Sequence, residues 1–510
     1  MHAKIYSATT VGISACLVEV EVDLSVGMVN FYIVGLPDKA IKESKDRIRA
    51  ALKNSGLRTP DRLVTVNLAP ASLKKEDVLF DVPIAVALLQ AARLIEMSDA
   101  FIAETLFSGE LSLDGSIRPV FGILSITHCA LKVGKKRVII PKANIREASL
   151  IKGIEVIGIE SLVELVAYLR GELKIEPAPA TFDALQTKHA HCLLDFDQVK
   201  GQLLAKRALQ IAAAGRHNIL FIGPPGSGKT MLAKRLATIL PPMSFDEVIE
   251  TTKIYSILGL LSKESLVVNR PFRAPHHTIS QAGLVGGGSH PKPGEISLAH
   301  NGVLFLDELT EFRRATLEVL REPLENKQVL ISRASYAIDY PASFLLVAAL
   351  NPCPCGFYGD KTKKCVCSPN NIAQYLSKLS GPLLDRIDLH IHVSPVKYDE
   401  ITVQHNKTKS SQEMYAEVQE AVKRQEERFG PLRNAFMTSR DVETFCALTP
   451  AAEQVIKLAF DKLGLSMRGY HKILKIARTI ADLEGSVEID RVHIQEAIMY
   501  RSLDQRLTPQ

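Results

Sequence analysis

Eight consecutive residues constrain this chain more than any others: Gly223, Pro224, Pro225, Gly226, Ser227, Gly228, Lys229 and Thr230. The apolar run Asn218–Ile222 before them reads as a strand. Thr230–Leu240 after them reads as a helix, with Leu232, Ala233, Leu236 and Leu240 on one face and Pro241-Pro242 as a stop. Glycines in a strand-to-helix turn let backbone N–H groups curl inward without Cβ clashes. The helix N-terminus adds the positive end of its dipole. A turn built this way cradles phosphate. Lys229 would contact the outer phosphates and Thr230 would ligate Mg²⁺, so the expected ligand is ATP with Mg²⁺.

Two later segments fit the same chemistry. Gly302-Val-Leu-Phe-Leu-Asp307-Glu308 is a short apolar strand ending in two carboxylates. Asp307 would hold Mg²⁺ through its water shell, and Glu308 would polarise an attacking water as general base. Asn351 follows the apolar run Phe344–Leu350. At the end of a core strand it would position that water against the γ-phosphate; capping a turn is the other reading. Repeated strand–helix alternation predicts an α/β fold, a doubly wound parallel sheet.

The rest of the chain sets this unit in context. Of 510 residues, 46% are hydrophobic and 23% charged, which excludes a disordered, collagenous or purely coiled-coil chain. Such a length predicts two to four domains. The net charge of +6 permits a nucleic-acid partner without arguing for one, and the absence of Trp excludes a Trp stacking platform. Glu19, Glu21 and Asp23 interrupt the N-terminal apolar residues, so no secretory segment is read. The longest apolar runs are far shorter than a bilayer span, and a cytoplasmic protein without membrane contact is expected. Residues 1–170 alternate short β-branched runs with helical patterns. Residues 171–194 read as a linker, 195–396 as the nucleotide-binding core, and 397–510 as helical. Lys423–Arg428 reads as a solvated helix face with i,i+4 pairs.

Four of eight cysteines crowd into one stretch, Cys353, Cys355, Cys365 and Cys367. Two Cys-x-Cys knuckles can supply four thiolates to Zn²⁺; the alternatives are four free thiols or an oxidised pair. Lys361, Lys363 and Lys364 between them would offset thiolate charge. The segment Arg270–Pro293 carries Arg270, Arg273, His276, His277, Gly286-Gly-Gly288, His290 and Lys292. Such a basic, glycine-containing loop suits phosphate contacts with DNA; a structural role for the histidine pair stays open.

The three nucleotide motifs, in this order, resemble those of AAA+ ATPases. The phrases Phe272-Arg-Ala-Pro-His-His277, Pro293-Gly-Glu-Ile-Ser-Leu-Ala-His300-Asn-Gly302 and Ser380-Gly-Pro-Leu-Leu-Asp-Arg386-Ile-Asp388 resemble the magnesium-chelatase branch. The resemblance implies a homo-hexameric ring with a C-terminal helical lid. It gives Arg386 the role of a finger reaching a neighbour's γ-phosphate, and Arg468 that of the lid's sensor arginine; a surface ion pair is the other reading of either. Gly109-Glu-Leu-Ser-Leu-Asp-Gly-Ser-Ile-Arg-Pro-Val120 resembles a Lon-type protease domain of α+β fold, but Leu124 stands at the lysine position of the Ser–Lys dyad. Ser72, just upstream of Lys75–Pro83, has no evident base. A Lon-like region ahead of a chelatase-type module resembles the YifB/ComM family. That resemblance implies a helicase driving branch migration of recombination intermediates in natural transformation, acting on single strands, forks or branched junctions beside a recombinase partner. A chelatase-type motor on a protein partner, an ATP-dependent protease and a non-enzymatic scaffold are the alternatives.

Overall fold

A computed structural model describes residues 1–58, 60–73, 75, 78–179, 194–261, 266–288, 291–333, 336–360, 363–396 and 409–501. The chain divides into two compact units, Met1–His189 with Phe245–Val268, and Ala190–Ser244 with Asn269–Gln510.

In the first unit, strands His2–Val11 and Ser14–Ser25 form an antiparallel hairpin. The second pairs antiparallel with Leu63–Ala69, which runs parallel to Asn30–Val34. Period-two alternation sets the register: Val18, Val20, Val22 and Leu24 face the core, while Glu19, Glu21 and Asp23 take the other face. The acids that interrupt the N-terminal apolar residues are thus the outer face of a strand. Helix Asp81–Ala91 is apolar almost all round and correspondingly buried. A second sheet, Thr105–Phe107, Arg137–Pro141 and Glu155–Ile159, is parallel.

The units join the expected core 195–396 and helical region 397–510 into one, and they depart from the expected core at one internal segment. Helix Phe245–Ile257 belongs with the first unit, not with the nucleotide-binding core. Its buried Val248, Ile249 and Ile254 explain why, together with Ser256, which donates to Glu147, and Lys253, which meets His128. The Lon-like region shows no assembled dyad among the described residues. Leu124 is fully buried, and Ser72 is exposed. The Lys75 ammonium is held by the carbonyls of Gly35, Leu68 and Pro70.

The second unit is built on a five-stranded parallel sheet in the order Phe272–Arg273, Val303–Leu306, Leu345–Leu350, Ile219–Ile222, Leu389–His392. The strand leading into the glycine turn therefore lies between later strands, with Ile222 opposite Leu350 on one side and His392 on the other. That is the switch point where ligands bind in doubly wound sheets. Its three middle strands are buried throughout, as strands covered on both faces must be. The helix after the turn, Lys229–Leu236, is shorter than its apolar spacing predicts. Beyond Leu236 the chain tightens into i−3 bonds, Thr238 N to Arg235 O and Ile239 N to Leu236 O.

Helices Ser411–Phe429, Ser439–Phe445, Pro450–Leu463, Met467–Glu484 and Arg491–Met499 complete the unit. The solvated face expected at Lys423–Arg428 is only partly so. Gln425 is buried, Arg424 donates to Asp482 O, and Arg428 pairs with the Asp482 carboxylate. The 180–193 part of the expected linker lies outside the described residues. No described helix is long and apolar enough to cross a membrane.

Candidate functional site

The sheet delivers the glycine turn to the end of Ile219–Ile222, the strand beside its central one. Gly223 N donates to Leu350 O at 3.2 Å, fastening the turn to the neighbouring strand's end. Gly228, at φ 90°, occupies backbone that only glycine takes without strain and starts the helix. Lys229 is the first helical residue and only 8% exposed. Its ammonium donates to Gly223 O at 2.7 Å, Pro224 O at 3.0 Å and Asn351 Oδ1 at 3.1 Å. The lysine thus spans the loop and meets the residue at the tip of strand Leu345–Leu350. Burial pulls the Lys229 pKa below the usual lysine value, while Asp307 and Glu308 pull it back up. A phosphate in the loop would favour the charged form further. The buried Ser227 hydroxyl has no hydrogen-bond partner among the described residues, an orphan that an anion oxygen would satisfy.

The acid pair closes on the same point. Thr230 Oγ1 donates to Asp307 Oδ2 at 2.6 Å, so the two expected Mg²⁺ ligands already touch. This hydroxyl–carboxylate oxygen set is one a hard cation accepts. Asp307 Oδ1 accepts from Glu308 N at 2.9 Å. Glu308 itself is left-handed, φ 51° and ψ 49°, a conformation that costs a non-glycine residue about 1–3 kcal/mol and clusters at functional sites. Its carboxylate lies 3.4 Å from His277 Nδ1. The His277 ring is backed by His276, centroids 4.1 Å apart, and by the edge of Phe312 at 6.4 Å. His277 therefore neighbours the general-base position, a placement that no sequence spacing signals.

The two arginines converge on each other rather than on the loop. Arg386 and Arg468 both contact Glu325 Oε1, at 2.6 and 2.9 Å. Among the described residues neither is bonded to the phosphate loop or the acid pair. Arg386, and then Arg468, hold the Glu325 carboxyl below its usual range. The backing is rigid. Asp388 accepts from Asn218 N at 3.2 Å and pairs with Lys472 at 3.1 Å, and Asn218 Nδ2 donates to Arg386 O at 2.9 Å. Burial opposes charge on Asp388, yet Lys472 and His217 hold its carboxyl far below the ordinary range. Lys472 lies one turn beyond Arg468 on helix Met467–Glu484, so one helix face supplies both the partner of Asp388 and a partner of Glu325. Sequence reasoning missed Glu325, which carries no pattern of its own.

The remaining candidates separate. Cys353, Cys355, Cys365 and Cys367 place their sulfurs within 4.8 Å of one another. Of the basic residues read as DNA contacts, Arg270 is committed to the carbonyls of Pro241, Asn301 and Pro242. Arg273 makes a two-pronged pair with Glu295 at 2.7 Å. Those bonds position the chain around the edge strand Phe272–Arg273. His276 and Lys292 are exposed, as are Lys363 and Lys364. Gly286 and Gly287 pair with Pro293 and Lys292 in a small antiparallel ribbon; His290 and Lys361 lie outside the described residues.

Comparison with known proteins agrees with this geometry. Sequence profiles match residues 195–401 (Magnesium chelatase, subunit ChlI), 20–144 (Subunit ChlI of Mg-chelatase) and 408–501 (Magnesium chelatase, subunit ChlI C-terminal). The chain is 43% identical to Competence protein ComM of Haemophilus influenzae over 508 residues, covering 98% of this chain and 97% of that protein. It is 42% identical to YifB of Escherichia coli over 503 residues, covering 99% and 97%. A weaker likeness, 26% over 185 residues, joins 31% of the chain to 33% of Lon protease 2 of Bacillus subtilis. A nucleotide-cradling parallel sheet with a helical C-terminal region, Lon-like homology at the N-terminus and full-length likeness to these relatives together place the chain in the YifB/ComM family of magnesium-chelatase-like AAA+ ATPases.

Proposed function

We propose that this protein is a Mg²⁺-ATP-driven DNA motor, a homo-hexameric helicase that promotes branch migration of recombination intermediates during natural transformation. The observation that carries the ATP chemistry is the convergence of Lys229 on Asn351 and of Thr230 on Asp307 at the ends of adjacent parallel strands. Gly223–Thr230 cradle the phosphates, and Thr230 and Asp307 hold Mg²⁺. Glu308 takes the proton of the attacking water, which Asn351 orients. Arg386 comes from the neighbouring subunit; because Glu325 gathers both guanidiniums, Arg468 arrives with it. Two planar, permanently charged forks suit the charge that develops on a transferring phosphoryl group.

The DNA assignment draws on the name of the Haemophilus relative, a competence protein, and on the exposed basic residues His276, Lys292, Lys363 and Lys364. Contacts of that kind grip single strands, forks or junctions through the backbone without reading sequence. A cytoplasmic site of action and a recombinase partner complete the reading. A chelatase-type motor on a protein partner is the second reading, supported by the three chelatase profiles. A synthetic four-way junction with Mg²⁺-ATP separates them. Junction conversion by the wild type, lost in Glu308→Gln, is expected; phosphate release with no junction conversion favours the second.

A further inference from the structure

Four thiols meet immediately beyond the nucleotide site. Cys353 Sγ lies 3.3 Å from Cys355 Sγ and 3.7 Å from Cys365 Sγ, and Cys355 is 3.6 Å from Cys365. A tetrahedral Zn²⁺ with Zn–S of about 2.3 Å sets its sulfurs about 3.8 Å apart, so these spacings need only a small adjustment. Backbone N–H groups of Phe357 and Val366 point at the Cys355 sulfur, and that of Cys367 at Cys365. Backbone donors of this kind orient the sulfurs of a metal site. Cys353 is fully buried and the other three are half-buried, which suits a closed four-sulfur shell with no position left for water.

The surroundings of this knot give it a purpose. Asn351, which accepts from Lys229, stands two residues before Cys353. Gly356, at φ 84° between the knuckles, rests directly on the phosphate loop. A Cβ there would lie 2.5 Å from Pro225 Cδ. After Cys367, Ser368 caps helix Pro369–Leu376, and Lys378 just beyond donates to Thr310 O at 2.9 Å, two residues past Glu308. The cysteine loop therefore touches the phosphate loop, continues from the sensor asparagine and is tied to the segment carrying the general base.

We infer that Cys353, Cys355, Cys365 and Cys367 bind one Zn²⁺ per chain, and that this ion holds Pro225 and Asn351 in place for nucleotide binding. Binding displaces the thiol protons and involves no redox change. The second half of the inference rests on the ATP-site reading, whereas the metal itself does not.

The test uses full-length protein free of any metal-binding tag, purified under reducing conditions without chelator. Elemental analysis is expected to give about one zinc per chain, with X-ray absorption showing four sulfur neighbours. Cys365→Ser/Cys367→Ser is expected to lower zinc below a tenth of an equivalent and weaken binding of a non-hydrolysable ATP analogue at least ten-fold. Gly356→Val, which leaves all four ligands but presses on Pro225, is expected to keep its zinc and lose affinity similarly. Should the cysteine variant not fold, removing zinc from the wild type with a strong chelator and restoring it supplies the same comparison. A wild type with no zinc, even after incubation with Zn²⁺, overturns the site. Zinc whose removal leaves nucleotide affinity unchanged overturns the coupling. Zinc bound by a chain that binds no nucleotide contradicts the ATP reading and the coupling while the metal assignment stands.

Discussion

In the proposed function, Lys229 and Glu308 divide the chemistry between holding nucleotide and breaking it. Lys229 already bridges two carbonyls and Asn351, so its removal strips the loop of its one buried cation. Lys229→Ala is expected to weaken ATP binding at least ten-fold by calorimetry. Glu308 touches none of the loop and lies against His277. Glu308→Gln is therefore expected to bind ATP with wild-type affinity while steady-state phosphate release falls by about 10²–10⁴, the usual worth of a general base. Wild-type turnover in this variant would remove Glu308 from that role. At this scale the sequence was legible wherever chemistry needs neighbouring residues: a phosphate cradle is one contiguous turn, and an acid pair is one strand end. Glu325 and the His277–Glu308 contact were not legible, because each depends on segments brought together only by the folded sheet.

Among the elements, Asp388, just before strand Leu389–His392, pairs with Lys472 of helix Met467–Glu484, and both are largely buried. Breaking a buried pair strands its partner without solvent or counter-charge. Asp388→Ala is expected to destabilise the second unit by about 3–5 kcal/mol, read as a lower denaturant midpoint. Lys409→Ala, which removes only the exposed pair with Glu417, is expected to cost no more than about 1 kcal/mol. Since the Asp388 carboxyl titrates far below its ordinary value, its stabilisation is complete above about pH 4 and is lost only in stronger acid. Buried strands were readable as short apolar runs, since Val303–Leu306 appears inside the segment Gly302–Glu308 and Leu345–Leu350 within one residue of the run Phe344–Leu350. Helix Phe245–Ile257 lies inside the stretch 195–396 read as the core yet groups with the first unit, because the order of segments along the chain does not specify which core buries an apolar face.

For the whole molecule, the central claim is that ATP is cleaved between two chains. Within one chain Lys229 meets Asn351 and Thr230 meets Asp307, while Arg386 and Arg468 gather on Glu325. A guanidinium supplied in trans is worth about 10³–10⁵ in turnover. Lys229→Ala chains keep a usable Arg386 but no functioning phosphate loop; Arg386→Ala chains have the reverse. The most direct measurement is phosphate release from an equimolar mixture of the two variants, each inactive alone. Recovery of a substantial fraction of wild-type turnover on mixing is the predicted result. A mixture no more active than the sum of its parts, at concentrations where mixed rings are seen by mass measurement, would contradict the shared site.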